Sequence, residues 1–566
     1  MNDSVNIALR LSRMAQEFPS LRAVTVPHKR RHPASPSPEN ELTFQELEDV
    51  SNRLAAGLSQ RGLRRGMKLV LFVPFGLEFI ALTFALLKAG VIVVLIDPGM
   101  GRRNIFQCLK EVQPDGFVAI PRVHLIRLFS GPELRRTRFN ISVGCRLPGT
   151  LTTYHQLLRS SAEGFVPART GPRDPAAIIF TSGSTGAPKG VLYEHGMFDA
   201  QVDLIRDFYG IQPGDVDLPG FPLFGLFNAA MGVTTVVPDM DPTRPARVDP
   251  EKILKAIREQ SVTQAFGSPA FWNRVGRYCS QHQITLPTLK RALSAGGPVP
   301  VHVLERMGQI LTRPGADLFT PYGATESLPI SSISARDVLS QTAPLTRQGA
   351  GTCVGNPFPG MRIKIIEITS GPIASIDEAV ELPPGAIGEI VVQGPSVTRE
   401  YYLRPDATAL AKIPDGERFW HRIGDTGYLA DDGRLWFCGR KAHLVDTPQE
   451  RMFSVCCEAI FNNHPRIYRS ALVGVGPRPG QVPVIVVEPE PGEFPRSAKA
   501  RDAMRAELLQ LGQGNLRTVS IQHVLFHPRL PVDTRHNVKI NREQLAIWAA
   551  SQLSGSVTFA APAESA

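Results

Sequence analysis

A loop rich in glycine and hydroxyl side chains is the clearest chemical feature of this sequence. It reads "FTSGSTGAPKGV" over residues 180–191. Small residues let main-chain N–H groups approach a ligand closely, and successive N–H groups form a concave nest for anions. Lys189 adds a compact positive charge. The loop predicts a phosphate site, although its lysine lacks the spacing of a Walker A P-loop, G-x-x-x-x-G-K-[ST].

Other polar residues of useful chemistry lie much further along the chain. Thr325 and Glu326, in "YGATES", place a hydroxyl beside a carboxylate, and Mg²⁺ prefers such oxygen ligands together with substrate phosphates. Asp425, in "GDTGYL", offers two acceptor oxygens for the paired hydroxyls of a ribose, or is an ordinary turn aspartate. Gly296 and Gly297, in "SAGGPV", form either a turn or a flat backbone surface for an adenine ring.

Alternating helical and β-branched segments are the elements that must position these residues. "KLVLFVPF" (68–75) predicts a strand, and the apolar stretch 77–98, interrupted by Lys88 and Gly90, predicts a helix, a turn and a buried strand. A further strand, "AAIIFTS" (176–182), leads directly into the glycine-rich loop. This alternation predicts α/β layers.

The pattern changes towards the carboxyl terminus. Beyond residue 350, short strands with Gly, Pro and Asp turns predict a small β-rich unit. From about residue 441 an α+β module follows. We therefore predict a large amino-terminal domain, residues 1–440, made of layered α/β subdomains with the β-rich subdomain, and a small mobile α+β domain, residues 441–566.

Composition is that of a large globular protein. The 566 residues are 43% hydrophobic and 20% charged, with a net charge of +10. The seven cysteines have neither C-x-x-C nor metal-ligand spacing, so we expect a cytoplasmic protein. No nucleic-acid partner is expected, and the positive charge is read as a solvated surface. The basic segment 125–139 alternatively indicates weak association with a membrane surface or an acidic partner.

The full set of motifs resembles the adenylate-forming superfamily of acyl-CoA synthetases, luciferases and peptide-synthetase adenylation domains. Its motifs occur in the family order across nearly the whole chain: "LTFQEL" (42–47), "TSGSTGAPKG" (181–190), "FPLFG" (221–225), "SAGGPV" (294–299), "YGATES" (322–327), "RIGDTGYL" (422–429), "GRKAH" (439–443) and "VKINREQL" (538–545). The resemblance implies that ATP binds with Mg²⁺ and that a substrate carboxylate is adenylated.

The resemblance also assigns roles to individual residues. It implies that Glu326 contacts the metal ion, that Thr325 lies near the phosphates, and that Arg440 contacts ribose or phosphate. It implies an ATP site made of Thr181, Ser182, Gly183, Ser184, Thr185, Gly186, Lys189, Gly296, Gly297, Pro298, Tyr322, Gly323, Ala324, Asp425 and Arg440.

Lys539 is the predicted catalytic cation. The family's last motif is usually P-x-T-x-x-G-K-x-x-R, and Lys539 and Arg542 align with it, although Val538 replaces the glycine. The resemblance implies that Lys539 steadies the α-phosphate and the attacking carboxylate; without it, an exposed lysine would be read as a solvated charge. His195, in "VLYEHG", matches a frequent family histidine, and the sequence assigns it no role.

The carboxyl-terminal module departs from the thioester-forming relatives. Those relatives have a glycine-containing loop for pantetheine soon after "GR", whereas no glycine occurs here between Gly439 and Gly474. Ala442 stands at the usual Asp or Lys hinge, and the acidic Asp446 stands where a lysine is typical. These departures argue against a CoA site, because the close backbone approach that glycine permits is missing.

The departures together resemble the β-lactone synthetases of bacterial long-chain olefin biosynthesis. That resemblance implies a long-chain 2-alkyl-3-hydroxyalkanoic acid substrate whose own 3-hydroxyl displaces AMP to close a β-lactone. It also implies a β-lactone decarboxylase and a short-chain reductase as pathway partners. For the acyl pocket, "FPLFGLFNAAMG" (221–232) predicts walls formed by Phe221, Phe224, Gly225, Phe227 and Asn228, or else ordinary core packing.

Three alternatives remain open at this point. The chain could be a long-chain fatty acyl-CoA synthetase or a fatty acyl-AMP ligase. It could be a luciferase-like oxygenase. It could also be an inactive nucleotide-binding scaffold, against which the presence of Lys189, Glu326, Asp425 and Lys539 argues.

Overall fold

The computed structural model describes residues 5–27, 40–181, 188–532 and 540–554, with the side chains of Thr181 and Ser554 left out. Its strands form two large sheets, a three-stranded sheet near the carboxyl terminus and a two-stranded pair.

The strands are β1 Arg22–Thr25, β2 Glu41–Thr43, β3 Lys68–Phe72, β4 Ile92–Ile96, β5 Gly116–Ala119, β6 Phe139–Ser142, β7 Thr152–Thr153, β8 Pro175–Thr181, β9 Lys189–Glu194, β10 Val216–Pro219, β11 Thr234–Val236, β12 Gln264–Gly267, β13 Arg291–Ser294, β14 Asp317–Ala324, β15 Ser327–Ser334, β16 Thr352–Pro357, β17 Arg362–Ile366, β18 Gly388–Gln393, β19 Lys412–Asp415, β20 Arg418–Leu429, β21 Leu435–Arg440, β22 Val445–Asp446, β23 Arg451–Met452, β24 Ile467–Val475, β25 Val482–Pro489 and β26 His523–Phe526. The helices are α1 Leu9–Glu17, α2 Phe44–Gln60, α3 Leu77–Lys88, α4 Arg102–Val112, α5 Pro121–Phe129, α6 Pro132–Arg135, α7 Tyr154–Leu158, α8 His195–Tyr209, α9 Pro222–Asn228, α10 Pro250–Glu259, α11 Pro269–Gln281, α12 Val301–Ile310, α13 Ala335–Asp337, α14 Ala343–Arg347, α15 Pro405–Ala411, α16 Ser454–Phe461, α17 Ala498–Gln513 and α18 Arg542–Ser554.

The first sheet carries the strand that precedes the glycine-rich loop. Its order is β7-β6-β5-β3-β4-β8-β9, and its strands are parallel except for the β8–β9 pair. Strand β8 has the unbroken apolar sequence of a strand covered on both faces. The loop joins β8 to β9, so Lys189 begins β9 opposite Thr181.

The second sheet carries the remaining predicted site motifs. Parallel pairing runs through β11, β10, β12, β13 and β14, and antiparallel pairing continues through β15, β16, β21, β20, β18 and β17. The β-rich strands beyond residue 350 therefore extend the large sheet and do not form a sheet of their own. The link is β16, which pairs with β15 on one side and β21 on the other.

Residues after 441 build a separate sheet and core. Strands β24 and β25 are antiparallel, and β26 is parallel to β25. One face of this sheet packs against Met504 and Leu508 of α17, and the other against Leu545 and Ala549 of α18. Strand β21, the last strand of the large sheet along the chain, ends at Arg440.

The apolar stretch 77–98 has the predicted form of helix α3, a turn and strand β4. None of the described helices is both long and apolar enough to span a bilayer. Lys88 at the end of α3 is completely buried, and its ammonium group donates to Glu48 at 2.6 Å, Ser51 at 2.8 Å and Asn52 at 2.7 Å, all on α2. The lysine therefore joins two helices inside the core.

We expect Glu48→Ala to lower the free energy of unfolding by about 3 kcal/mol, because it leaves the buried Lys88 ammonium without its carboxylate. The matched control is Glu259→Ala, which removes an exposed partner 3.8 Å from Lys255 and should cost less than about 0.5 kcal/mol. Urea denaturation midpoints of the two variants measure the difference. Equal shifts would show that the buried pair contributes no more than a surface pair.

Candidate active site

One cavity of about 2650 Å³ connects most of the predicted site residues. It lies at the carboxyl ends of β12, β13 and β14, where ligands bind in open α/β sheets. Residues of the carboxyl-terminal module also line it. The predicted ATP-site residues on its wall are Lys189, Gly296, Gly297, Pro298, Tyr322, Gly323, Ala324, Asp425 and Arg440, and the two predicted catalytic residues on it are Thr325 and Glu326.

Asp425 on β20, opposite Arg440 of β21, is held by a hydrogen bond and an ion pair. The Tyr322 hydroxyl donates to its Oδ2 at 2.6 Å, and Arg440 Nε lies 3.1 Å from its Oδ1. Burial, together with the nearby carboxylate, raises the pKa of Tyr322 well above 10, so the phenol stays protonated. These contacts fix the orientation of the Asp425 carboxylate, which lies on the cavity wall.

Tyr401 contacts both Glu326 and Lys189. The Tyr401 hydroxyl donates to Glu326 Oε1 at 2.8 Å, and Lys189 Nζ lies 4.9 Å from the centre of the same ring. Burial, followed by the Glu326 charge, raises the pKa of Tyr401. Glu326 Oε2 has no hydrogen-bond partner within the described ranges. A carboxylate oxygen on the cavity wall fits a hard cation such as Mg²⁺.

A β-hairpin turn positions Thr325 and Glu326. They form the turn between β14 and β15. The Thr325 carbonyl accepts from the Tyr193 hydroxyl at 2.5 Å, and the Glu326 carbonyl accepts from Thr398 N at 2.9 Å. Gly323 is required by space, because an added Cβ would lie 2.6 Å from a neighbouring carbonyl oxygen. These contacts fix the turn from both sides.

Part of the predicted site falls outside the described residues. These are Ser182, Gly183, Ser184, Thr185 and Gly186 of the glycine-rich loop, and Lys539. The flanking residues Lys189, Val532 and Ile540 line the cavity.

The predicted acyl pocket is confined to one side of α9. Phe221, Phe224 and Phe227 line the cavity, and Phe224 stacks on Phe266 with ring centres 4.0 Å apart. Asn228 instead turns into the protein, where it donates to Asp217 at 2.8 Å and to Thr235 at 3.1 Å. Gly225 lies against Phe75, and a Cβ added at Gly225 would be only 2.6 Å from the Phe75 ring. The aromatic residues therefore form the apolar wall, and Gly225 and Asn228 support it.

Lys412 is a residue near the site that the sequence motifs did not identify. Its ammonium group donates to the main-chain carbonyl of Thr398, whose own N–H and hydroxyl donate to the Glu326 carbonyl. Burial lowers the pKa of Lys412 to about 7. Neither Tyr401 nor Lys412 lies in one of the family motifs named above. Tertiary packing alone brings them to Glu326.

The low pKa of Lys412 predicts a pH-dependent stability. Between pH 7 and the ordinary pKa of a lysine, residue 412 of the unfolded chain is protonated, whereas Lys412 of the folded protein is not. The free energy of unfolding should therefore rise with pH. We expect Lys412→Met to reduce this rise by about 1 kcal/mol per pH unit between pH 7 and 9. The control is Lys255→Met on α10, whose side chain is exposed. Parallel slopes for wild type and Lys412→Met would contradict the prediction.

His195 has a structural position. It is buried, its Nδ1 accepts from Ile7 N at 3.3 Å, and it is not among the residues on the cavity wall. Burial lowers the pKa of His195 to about 4, so the ring is neutral. The histidine therefore fastens the amino-terminal segment to α8.

The carboxyl-terminal module contributes a buried ion pair to the cavity wall. Arg542 Nη2 donates to both oxygens of Glu458, at 2.7 and 2.8 Å, and Glu458 Oε1 also accepts from Leu472 N at 2.9 Å. Glu458 is on α16 and Arg542 begins α18, three positions after Lys539. The pair fixes the beginning of α18 beside the cavity.

Three known proteins are informative here, one similar in sequence and two similar in structure. An olefin beta-lactone synthetase of Stenotrophomonas maltophilia is 43% identical over 562 residues, which are 98% of this chain and 99% of the relative. The amide bond synthetase McbA of Marinactinospora thermotolerans has a similar structure, with a TM-score of 0.77, 22% identity, and coverage of 96% of this chain and 99% of its own.

The o-succinylbenzoate CoA synthetase MenE of Bacillus subtilis, in complex with ATP and magnesium ion, matches with a TM-score of 0.72 and 22% identity over 95% of this chain and 98% of its own. These structural matches confirm the predicted fold class. A model of the AMP-binding enzyme family matches residues 12–402. The chain therefore belongs to the AMP-binding enzyme family. Its 43% sequence identity to an olefin beta-lactone synthetase, over nearly its whole length, places it with the olefin beta-lactone synthetases.

Proposed function

We propose that the protein is an ATP-dependent β-lactone synthetase acting on long-chain 2-alkyl-3-hydroxyalkanoic acids. In the first step a carboxylate oxygen of the acid bonds to the α-phosphorus of ATP, and pyrophosphate leaves. In the second step the 3-hydroxyl oxygen bonds to the activated carbonyl carbon, the bond to AMP breaks, and the hydroxyl proton is released. The products are a β-lactone, AMP and pyrophosphate.

The observation that carries this proposal is the single cavity that joins a polar end to an aromatic wall. Glu326, Asp425 and Arg440 lie at the polar end, and Phe221 and Phe224 line the apolar part. Apolar walls with a few fixed polar groups are typical of sites for amphipathic ligands. The 43% identity to an olefin beta-lactone synthetase supports the choice of acid.

In the first step the protein's contribution is alignment and charge neutralisation. Asp425, fixed by Tyr322 and Arg440, would accept the ribose hydroxyls. Lys189 and Lys539 would supply positive charge to the phosphates. Glu326 would hold Mg²⁺, which when bound neutralises phosphate charge. The protonated Tyr401 keeps the Glu326 carboxylate pointing at the cavity.

The second step needs no additional substrate. The 3-hydroxyl is already tethered to the activated carbonyl, so ring closure loses little translational freedom. The free energy of the mixed anhydride offsets the strain of the four-membered ring. The protein has to hold the acid with its hydroxyl near the carbonyl and to limit access of water.

Local structure at the usual pantetheine site supports a reaction without CoA. Residues 445–446 and 451–452 form the β22–β23 pair, and Asp446 Oδ1 accepts from Arg451 at 2.8 Å. Thr447 closes the connecting turn by accepting from Glu450 N at 3.0 Å. A closed hairpin with an acidic side chain thus stands where the thioester-forming relatives have a glycine-containing loop.

We further propose that residues 441–566 move as a unit against residues 1–440 and that the protein acts in the cytoplasm. Its pathway partners would be enzymes that supply the 3-hydroxy acid by reduction and that decarboxylate the lactone. The separate sheet and core after residue 441 support the first of these proposals.

The test is incubation with ATP, Mg²⁺ and a long-chain 2-alkyl-3-hydroxy acid without CoA, followed by direct NMR identification of the product at low temperature. We expect the lactone carbonyl together with equimolar AMP and pyrophosphate. An olefin seen only after heating does not count, since it is a breakdown product of the lactone.

A matched control uses the same acid without its 3-hydroxyl. We expect a burst of pyrophosphate of about one equivalent per enzyme and then slow release, because the second step has no nucleophile. Acyl-CoA formation from a plain fatty acid, after CoA is supplied, at a rate above lactone formation would favour an acyl-CoA synthetase instead. Absence of pyrophosphate with every acid would favour an inactive scaffold.

A further inference from the structure

Four exposed apolar side chains line part of the cavity. They are Phe106, Leu125, Ile126 and Phe129, which are 40%, 45%, 49% and 90% exposed, and all four line the cavity that also reaches Glu326. We call these four residues the apolar port. Exposed aromatic and aliphatic side chains that continue into a cavity mark a site where an apolar partner makes contact.

The apolar port belongs to one face of the first sheet. Helix α4 connects β4 to β5, and α5 with α6 connects β5 to β6. Both connections move across the sheet in the same direction, and right-handed crossovers therefore put these helices on the same face. Their inner sides bury a common core with Cys108, Leu109 and Phe117. Phe106 on α4 and the other three residues on α5 thus lie on the same face of the sheet and line the same cavity.

Buried hydrogen bonds fix this surface. Arg127 on α5 is 3% exposed, and its guanidinium donates to the carbonyls of Leu134 and Arg135, at 3.3 and 3.2 Å, and of Gly149 at 3.2 Å. Asn140 Nδ2 donates to the same Gly149 carbonyl at 3.2 Å. These hydrogen bonds hold the segment that follows α5 against the helix. The exposed Phe129 therefore lies at a helix end that is fixed in place.

The segment that contains the apolar port is rich in positive charge. Residues 100–150 contain nine Lys and Arg but only three Asp and Glu, so this segment carries more than half of the chain's net charge of +10. Within the described part of the chain, none of its exposed arginines forms an ion pair with a carboxylate: Arg102, Arg103, Arg122, Arg135, Arg136, Arg138 and Arg146. Unpaired charge and exposed apolar side chains in one segment are together complementary to a partner that offers both negative charge and an apolar interior.

We propose that the apolar port and its arginines dock the protein on an anionic phospholipid bilayer. Arginine stems lie along apolar surface while their guanidinium groups reach anionic headgroups, and Phe129 and Ile126 enter the acyl boundary, as in interfacial helices. The inference rests on the proposed function in one respect, namely that the acid is a lipid and reaches the cavity from the bilayer through the port.

A bilayer fits this surface better than an acidic protein does. An acidic protein would match the arginines. It would not account for an apolar port on the wall of the cavity that Phe221 and Phe224 also line. A bilayer supplies the charge, the apolar phase and a reservoir of long-chain acid at one place.

The test is co-sedimentation of the full-length protein with large vesicles at low ionic strength, without ATP or acid. Vesicles contain either phosphatidylcholine alone or about one third phosphatidylglycerol. Wild type should pellet only with the anionic vesicles, and salt should release it. The double variant Arg135→Gln/Arg136→Gln should partition roughly 30-fold more weakly, at about fivefold per charge. Phe129→Ser should partition about tenfold more weakly.

A double variant in the carboxyl-terminal module is the matched control. Leu516 is 90% exposed, as is Phe129, and Arg501 is an exposed arginine on α17, so Leu516→Ser/Arg501→Gln should pellet as wild type does. Equal pelleting with both vesicle types, no pelleting of wild type, or equal losses in control and port variants would each overturn the proposal. Lactone formation plays no part in this measurement, so binding and the proposed reaction fail or succeed independently.

Discussion

Replacement of Lys539 by alanine should lower the rate of pyrophosphate release with a long-chain 3-hydroxy acid by about 10²–10³-fold. The physical reason is that negative charge redistributes over the α-phosphate and the attacking carboxylate as the first step proceeds, and a positioned cation stabilises that charge far more than it stabilises bound ATP. ATP affinity, measured by calorimetry, should change by less than about threefold.

The position of Lys539 in the chain makes this prediction specific. Val532 and Ile540, on either side of it, line the cavity, and Arg542 is fixed by its two bonds to Glu458. The control Lys499→Ala removes an exposed lysine of α17 and should keep wild-type turnover. Wild-type turnover in Lys539→Ala would show that Lys539 takes no part in the reaction.

Glu326→Gln should have the second large effect, a loss of about 10²–10³-fold in the rate of pyrophosphate release at saturating ATP. The amide oxygen can still accept from the Tyr401 hydroxyl, so the side chain keeps its place while the negative charge that would hold Mg²⁺ is lost. The Mg²⁺ concentration needed for half-maximal rate should therefore rise.

The comparison for this variant is Glu381→Gln, which removes the charge of an exposed glutamate paired with Lys364 and should behave as wild type does. A melting temperature close to wild type would show that Glu326→Gln is folded. If Glu326→Gln keeps its rate and its Mg²⁺ requirement, another group holds the metal ion.

The sequence predicted the fold class correctly because its buried strands and helices have distinct patterns. The helix, turn and strand predicted for residues 77–98 are confirmed. Pairing partners over long distances were not predictable in the same way. The β-rich strands beyond residue 350 pair onto the large sheet through β16, and nothing in the local pattern of β16 specifies which strand it joins.

The site was predicted only where family motifs mark it. The described motif residues meet at one cavity, and the roles given to them stay predictions. Tyr401 and Lys412 were missed, because a single tyrosine or lysine has no sequence pattern that distinguishes a buried partner of Glu326 from a surface residue. For the same reason the sequence could not distinguish Phe227, on the cavity wall, from Asn228, which turns into the core.

The continuity of the cavity bears on the survival of the proposed product. A β-lactone is a strained acylating agent, and bulk water opens such rings. With Glu326 and the apolar port lining the same cavity, a newly closed ring would have apolar walls to follow away from the polar end. The same passage would thus protect a hydrolysable metabolite during its transfer.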